Sequence, residues 1–375
     1  MKKNKEKKLT IIQVLPALES GGVERGTLEI SKYLVSKKQH SIVISNGGRM
    51  TQQLISEGGK HIELPIGKKS LLTLRLIPVL IKIFIANKVD LVHLRSRFPA
   101  WICIIAVKFM PYKKRPSIIT TFHGPYSINL YSSIMAKGDI VIAVSKMIQT
   151  YILENYKINS KKIFLNYRGV DAKEFPYLFK PKKSWISKWK EANPNTKNKI
   201  LLTLPGRVTR WKGQIDFLKI IALLSKEYSN IHGLIVGDVA VNKKSFIKEL
   251  EAKVIELGID ENISFIGHRT DLREIMSISK IVFSLSNEPE AFGRTTIESL
   301  KIGVPVIGYG HGGVGEQLKK VFPQGIIKKN DISSAVNLSK EWIKKPPKVI
   351  KTNLFNLETM QSNTLDLYRK VLKNR

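Results

Sequence analysis

A single cysteine, Cys103, stands among 375 residues. An internal disulfide and a cysteine-based metal site within one chain are therefore excluded, and a reducing compartment is the simple expectation. No Asp-x-Asp occurs, and no His, Asp and Glu grouping has metal-ligand spacing. Neither a P-loop nor a Gly-x-Ser-x-Gly elbow is present. Long apolar runs are also missing. The stretch "LLTLRLIPVLIKIFIA" at 71–86 is too short to span a membrane, and Arg75, Pro78 and Lys82 interrupt it. We expect a half-buried core helix there, with a helix lying on a membrane surface as the alternative. The opening "MKKNKEKKLTIIQVLPAL" mimics a signal peptide. Its apolar part is short, lacks a small-x-small cleavage site and runs into "ESGGVERG", so it reads as a basic tail followed by a strand.

Acidic residues are scarce: 30 Asp and Glu face 63 Lys and Arg, a formal net charge of +33. Such a balance admits a nucleic acid, an anionic membrane or a phosphorylated ligand as partner. It also fits a plain compositional bias, because Lys, Ile and Asn recur throughout. The lysines are spread out, and no RNP-like, zinc-finger or helix-turn-helix pattern is visible, so no nucleic-acid partner is expected. A basic nucleic-acid-binding protein is kept as the rival of a different class. Against this background, "SNEPEAFGRTTIES" at 286–299 gathers Glu288, Glu290 and Glu298 beside a glycine, an arginine and a helix start. Either these acids complement the helix, or they hold something that cations cannot.

At roughly 100–200 residues per domain, the length predicts two domains. Short β-branched runs ("LTIIQVLP", "HSIVISN", "DLVHLR", "SIITTFH", "DIVIAVS") alternate with helical stretches. One of these, "VERGTLEISKYLVSK", repeats Val23, Thr27, Ile30 and Leu34 at helical spacing. Near-continuous apolar runs suit parallel strands buried on both faces. A lysine- and tryptophan-rich stretch at 180–199 reads as a linker. The alternation then restarts with "ILLTLPGR", "HGLIVGD", "ISFIGH", "KIVFSLS" and "VPVIGY". This predicts two doubly wound, Rossmann-like α/β domains.

Polar residues recur just after the strands: Gly21 and Gly22, Asn46, Arg95, His123 and Ser145 in the first half; Arg207, Asp238, His268, Glu288 and Glu290, and Gly310 in the second. Open parallel sheets bind ligands outside the carboxyl ends of their strands. Two such edges facing each other would make an interdomain cleft. Arg207 and Lys212 in "PGRVTRWKGQ" place two cations at a strand–loop–helix junction, which suits a diphosphate; a solvated basic loop is the ordinary alternative. Gly21 and Gly22 could bring backbone N–H groups to a phosphate or simply make a turn. Glu298 falls inside a helix and Glu290 in the loop before it, and a carboxylate accepts from two neighbouring hydroxyls at once. His123, beside a glycine, is open to a chemical or a structural role. "GYGHGG" matches Gly-x-Gly-x-x-Gly at Gly308, Gly310 and Gly313, but after the fifth strand of its domain. Asp331, some twenty residues on, does not cleanly end a strand, so no dinucleotide site is expected.

Together these residues resemble the retaining glycosyltransferases of family 4 (group 1), which have the GT-B fold. "EAFGRTTIE" carries Glu290-x7-Glu298, "RVTRWK" carries Arg207-x4-Lys212, and "SGGVER", "GVD" at 169–171 and "VPVIGYGHGGVGE" resemble further family segments. The final "LETMQSNTLDLYRKVL" resembles the helix that packs back on the N-terminal domain. The resemblance implies an acceptor-binding domain at 1–175 with the closing helix 357–375, and a nucleotide-sugar-binding domain at 176–356. It implies transfer of a hexosyl-type sugar from a nucleotide diphosphate to an acceptor hydroxyl, with retention, without a metal and with no cofactor beyond the donor. Arg207, Lys212, Glu290 and His123 would be catalytic. Gly21, Gly22, His268, Phe292, Gly293 and Glu298 would join them in holding the donor. Arg95 and Arg97 would face an anionic or phosphorylated acceptor. The partners implied are a nucleotide sugar and a glycan or lipid-linked acceptor of cell-surface or lipopolysaccharide type, on the inner face of the cytoplasmic membrane. "YRGVD" departs from the usual Asn-Gly-Val-Asp, with Arg168 in the Asn position. A sugar phosphorylase or a nucleotide-sugar epimerase of similar fold is the enzyme alternative.

Overall fold

The computed structural model describes residues 7–19, 21–238 and 244–373. Most of the expected basic N-terminal tail, and Ser20 of the first glycine loop, lie outside the described residues. The chain divides into two compact units: unit 1 comprises 1–167 with 358–375, and unit 2 comprises 168–357. The division falls before 175 because the backbone at 168–175 is tied to the segment preceding the last helix. Val170 N–H donates to the Phe355 carbonyl at 2.9 Å, and Leu357 N–H donates to the Val170 carbonyl at 3.1 Å.

Unit 1 holds seven strands: β1 (Thr10–Val14), β2 (His40–Ser45), β3 (Lys60–Glu63), β4 (Leu91–Leu94), β5 (Ser117–Phe122), β6 (Ile140–Ala143) and β7 (Ile163–Leu165). They pair in the order β3-β2-β1-β4-β5-β6-β7, and every pairing is parallel. Unit 2 holds β8 (Ile200–Pro205), β9 (Ile231–Val236), β10 (Ile263–Gly267), β11 (Ile281–Ser284), β12 (Val306–Tyr309) and β13 (Ile326–Ile327). Their order is β10-β9-β8-β11-β12-β13, again parallel. The strand order reverses between β1 and β4 in one unit and between β8 and β11 in the other. Such switch points are where doubly wound sheets bind ligands. β3, β7 and β13 escaped the sequence reading because they are edge strands of four residues or fewer and lack the long apolar run of doubly covered ones.

Unit 1 is closed by the helix Leu357–Lys373, which buries Met360, Leu365, Leu367 and Tyr368. The Tyr368 hydroxyl meets His93 Nδ1 at 2.6 Å. Asn166 Nδ2 donates to the Met360 carbonyl at 3.0 Å and to Thr364 Oγ1 at 2.9 Å. A helix distant in sequence thereby becomes part of the first core. Residues 71–86 form a short 3-10 turn, Leu71–Arg75, followed by the helix Leu76–Ala86. Thr73, Leu80 and Phe84 are buried, while Leu71 stays 85% and Leu72 62% exposed. Among the described residues no helix is long and apolar enough to cross a membrane.

The stretch 180–199 is not a linker. It contains the helix Lys183–Ala192, whose Trp185 and Trp189, one turn apart, stack with ring centroids 5.4 Å apart. Trp189 is buried against Leu201, Leu234, Val236 and Ile275, and Trp185 Nε1 donates to Asp271 Oδ2 at 2.7 Å. The flanking lysines hid a helix whose apolar face is two tryptophans wide. Trp189→Ala should empty this pocket and destabilise unit 2 by about 3–5 kcal/mol. Differential scanning calorimetry reads this as a lowered unfolding transition, and an unchanged one would show that the helix is not part of the core.

Candidate active site

In unit 2 the charged residues converge at the switch point. Arg207 and Lys212 follow β8, whereas Glu288 and Glu290 follow β11, its neighbour in the sheet. The two loops touch because of Gly213, which caps the helix Gln214–Ser225 with φ 79°. A Cβ there would lie 2.0 Å from the Leu285 carbonyl oxygen, so any side chain would force the loops apart. Asn287 N–H then donates to the Trp211 carbonyl at 2.7 Å. Lys212 Nζ reaches Glu290 Oε1 at 2.8 Å, with both side chains 15% exposed, and also lies 4.5 Å from the centre of the Trp211 ring. Ser286 Oγ donates to the same Glu290 oxygen at 2.5 Å. Arg207 is exposed, and its carbonyl accepts from Gln214 Nε2 at 3.1 Å. Glu288 is exposed on the loop beside Pro289.

The helix Arg294–Lys301 is capped by Gly293 in the left-handed region. Glu298 lies inside it and is 3% exposed, with Arg294 Nε donating to its Oε1 at 2.7 Å. This carboxylate is largely enclosed and is oriented by a partner one turn earlier. Phe292 is buried and packs edge-on to Phe355 at 5.7 Å. His268 is exposed after β10, an edge strand two places from β8. The glycines of "GYGHGG" serve packing. A Cβ on Gly313 would lie 2.5 Å from the Phe292 Cα, and Gly313 N–H donates to the Glu290 carbonyl at 2.7 Å. Asp331 caps the helix Ile332–Lys344 by accepting from Ser334 N–H at 2.9 Å.

In unit 1, Gly21 and Gly22 begin the helix Gly22–Ser36 after β1 and are exposed. His123 follows β5, partly buried, and its N–H donates to Tyr126 Oη at 3.4 Å. Arg97 starts the helix Arg97–Phe109, donates from Nη1 to Ser132 Oγ at 3.1 Å, and lies over the Tyr126 and Tyr131 rings at 4.8 and 5.3 Å. Arg95 corrects the expectation that it faces an acceptor. It is 3% exposed, and its Nε and Nη2 donate to Gln13 Oε1 at 2.9 and 2.6 Å. Burial pulls its guanidinium below its ordinary value to about 10, opposed by Tyr368 and Glu29. It braces β4 against β1. Sequence reasoning missed Ser286 and Trp211; the Arg294–Glu298 pair was legible as an i, i+4 spacing. Among the described residues no three His, Cys, Asp or Glu side chains cluster so as to hold a metal ion.

Two parallel doubly wound sheets, with a cation–carboxylate cluster at the switch point of the second, define a two-unit, Rossmann-like α/β architecture. The comparisons make it specific. Residues 186–353 match the family described as "Glycosyl transferases group 1", and residues 20–174 match "Glycosyltransferase Family 4". The chain is 32% identical to a glycosyltransferase from Rickettsia africae, whose crystal structure it matches with a TM-score of 0.87 over 98% of this chain and 100% of that one. HepE of Anabaena, crystallised with UDP and glucose, shares the fold at 20% identity, with a TM-score of 0.80 over 96% of this chain and 99% of that one. The N-acetyl-alpha-D-glucosaminyl L-malate synthase of Bacillus anthracis is 28% identical over 245 residues, 62% of this chain and 60% of that relative's length. The chain belongs to the group 1, family 4 glycosyltransferases and has the GT-B fold.

The Lys212–Glu290 pair is testable without substrate. Lys212→Met and Glu290→Gln should each lower stability, and the double variant should lose less than their sum, with a coupling of roughly 0.5–3 kcal/mol in urea unfolding. Additive effects would mean the pair is not formed in solution.

Proposed function

We propose that the protein transfers a hexosyl-type sugar from a nucleoside diphosphate to an acceptor hydroxyl with retention of anomeric configuration. The observation that carries this reading is the Lys212–Glu290 pair beside Arg207 at the β8/β11 switch point. Unit 2 holds the donor. As the glycosidic bond to phosphate breaks, negative charge grows on the departing diphosphate. Arg207 and Lys212 stabilise it in place of a divalent cation, helped by the backbone N–H groups at Phe292 and Gly293. Glu290, released from Lys212 as the lysine turns to phosphate, accepts from the sugar hydroxyls and is held by Ser286. Glu298, oriented by Arg294, takes the ribose, and the loop at His268 contacts the base. A departing phosphate oxygen accepts the proton of the attacking hydroxyl, so neither glutamate acts as a glycosidase nucleophile. No further cofactor is required.

Unit 1 takes the acceptor, with His123 and Arg97 at the carboxyl edge of its sheet. Leu71 and Leu72 stand exposed beside Lys68, Lys69 and Arg75, and Lys69 Nζ lies 5.7 Å from the centre of the Tyr131 ring. An apolar tip among cations fits an anionic membrane. The acceptor is then a lipid-linked or cell-surface glycan of lipopolysaccharide type, reached by a protein bound peripherally to the cytoplasmic face.

A thermal-shift panel of UDP-, GDP-, ADP- and CMP-sugars should give one clear stabilisation, about 2.7 kcal/mol at a hundredfold excess over the dissociation constant. The HepE complex makes UDP the first candidate. With the donor identified, Arg207→Ala or Lys212→Ala should lower turnover by about 10²–10³ while the protein stays folded, and EDTA should leave turnover intact. Near-normal turnover in either variant would refute the cation assignment, and loss with EDTA would refute metal independence. Phosphate-dependent cleavage of a glucan, or epimerisation without acceptor, would replace the transferase reading.

A further inference from the structure

The sheet of unit 1 has a second edge that glycosyl transfer does not use. At the amino ends of β5, β6 and β7, opposite His123, lies a groove of about 670 Å³. Its walls include Val107, Ile118, Ile163, Phe164 and Leu367, and its mouth carries Arg115, Lys161 and Lys370. The one acidic lining residue, Asp139, already accepts the Ile118 N–H through Oδ2 at 2.8 Å. Neither Lys161 nor Lys370 has an ion-pair partner among the described residues.

A basic–aromatic turn, "KFMPYKKR" at 108–115, forms one rim. Phe109 is 73% and Tyr112 77% exposed, while Met110 between them is buried. Arg115 laces the turn: its Nε donates to the Met110 carbonyl at 2.9 Å, its Nη2 donates to the Lys108 carbonyl at 2.7 Å, and its guanidinium lies over the Tyr112 ring at 5.8 Å. The two aromatics are thus held outward by a braced turn, between exposed Lys108, Lys113 and Lys114. No Asp or Glu occurs between Asp90 and Asp139, so nothing on this turn offsets its charge.

We propose that this groove seats an anionic phospholipid of a membrane surface. The phosphate meets Arg115, Lys161 and Lys370, an acyl chain lies on the Val107–Ile118–Phe164–Leu367 wall, and Phe109 and Tyr112 sit at headgroup level. Exposed aromatics with apolar bodies and wet edges favour that depth, and flanking cations are drawn to an anionic leaflet. A nucleic acid would use the cations and leave the aliphatic wall unfilled. So would free phosphate. The inference rests on the membrane association proposed above but moves its lipid contact from the Leu71–Leu72 tip, at the carboxyl edge of the same sheet, to this amino edge.

The test is co-sedimentation of the full chain with vesicles of phosphatidylcholine alone or mixed with phosphatidylglycerol, at physiological salt. Binding to the mixed vesicles is expected. Lys161→Glu/Lys370→Glu should weaken it at least about tenfold, and Phe109→Ser/Tyr112→Ser should also weaken it, both with an unchanged melting temperature. Lys328→Glu/Lys329→Glu, an exposed pair in unit 2, should have no effect. Short-chain phosphatidylglycerol below its micelle concentration should raise the melting temperature of the wild type but not of the groove variant, and inorganic phosphate should not. Full binding by the groove variants, or equal loss in the unit 2 variant, overturns the groove while leaving membrane association standing. Wild-type protein that ignores both vesicles overturns both.

Discussion

The close approach of two loops at the β8/β11 switch point governs the site, and it depends on an atom that is absent. Any Cβ at position 213 would collide with the Leu285 carbonyl. With none there, the Trp211 and Asn287 backbones hydrogen-bond, and Lys212 comes within ion-pair distance of Glu290. The acidic loop is gripped from its other side as well, where Gly313 N–H holds the Glu290 carbonyl. A carboxylate inside a strongly basic chain is thereby fixed by backbone packing and not by the attraction of many lysines.

This arrangement settles what the cluster does when no ligand is present. A partly buried ammonium or carboxylate left alone carries a desolvation cost, and each of these two offsets part of that cost for the other. In the proposed reaction, a ligand that brought phosphate to Lys212 and hydroxyls to Glu290 would replace one set of partners with another. Ser286, which donates to Glu290 Oε1, holds the carboxylate independently of Lys212.

The two α/β units were legible because doubly covered parallel strands read as continuous apolar runs. The ten strands read from sequence all belong to the two sheets, with β10 as the one edge among them, and the three unread ones, β3, β7 and β13, are shorter edges. Glu290 and Lys212 were legible as motif residues, but their mutual contact was not, since it follows from a glycine clash that no pattern announces. The helix at 183–192 was misread as a linker because the residues it packs into the core cluster are Trp185 and Trp189, set among lysines. Two aromatics one turn apart are too few for a periodicity argument and enough for a core.

Charge shows the same limit most sharply at Arg95 and Arg97, which the sequence treats alike. Arg95 leaves β4 beside β1, in a part of the sheet roofed by the closing helix, and its guanidinium is absorbed by Gln13 with Tyr368 and Glu29 nearby. Arg97 follows the same strand two residues later, at the first turn of a helix, and rests on the faces of Tyr126 and Tyr131. The closing helix that encloses Arg95 comes from the far end of the chain. A cation's function is therefore set by what covers it, and in this fold the cover arrives some 270 residues after the strand it covers, as the contact between His93 and Tyr368 records.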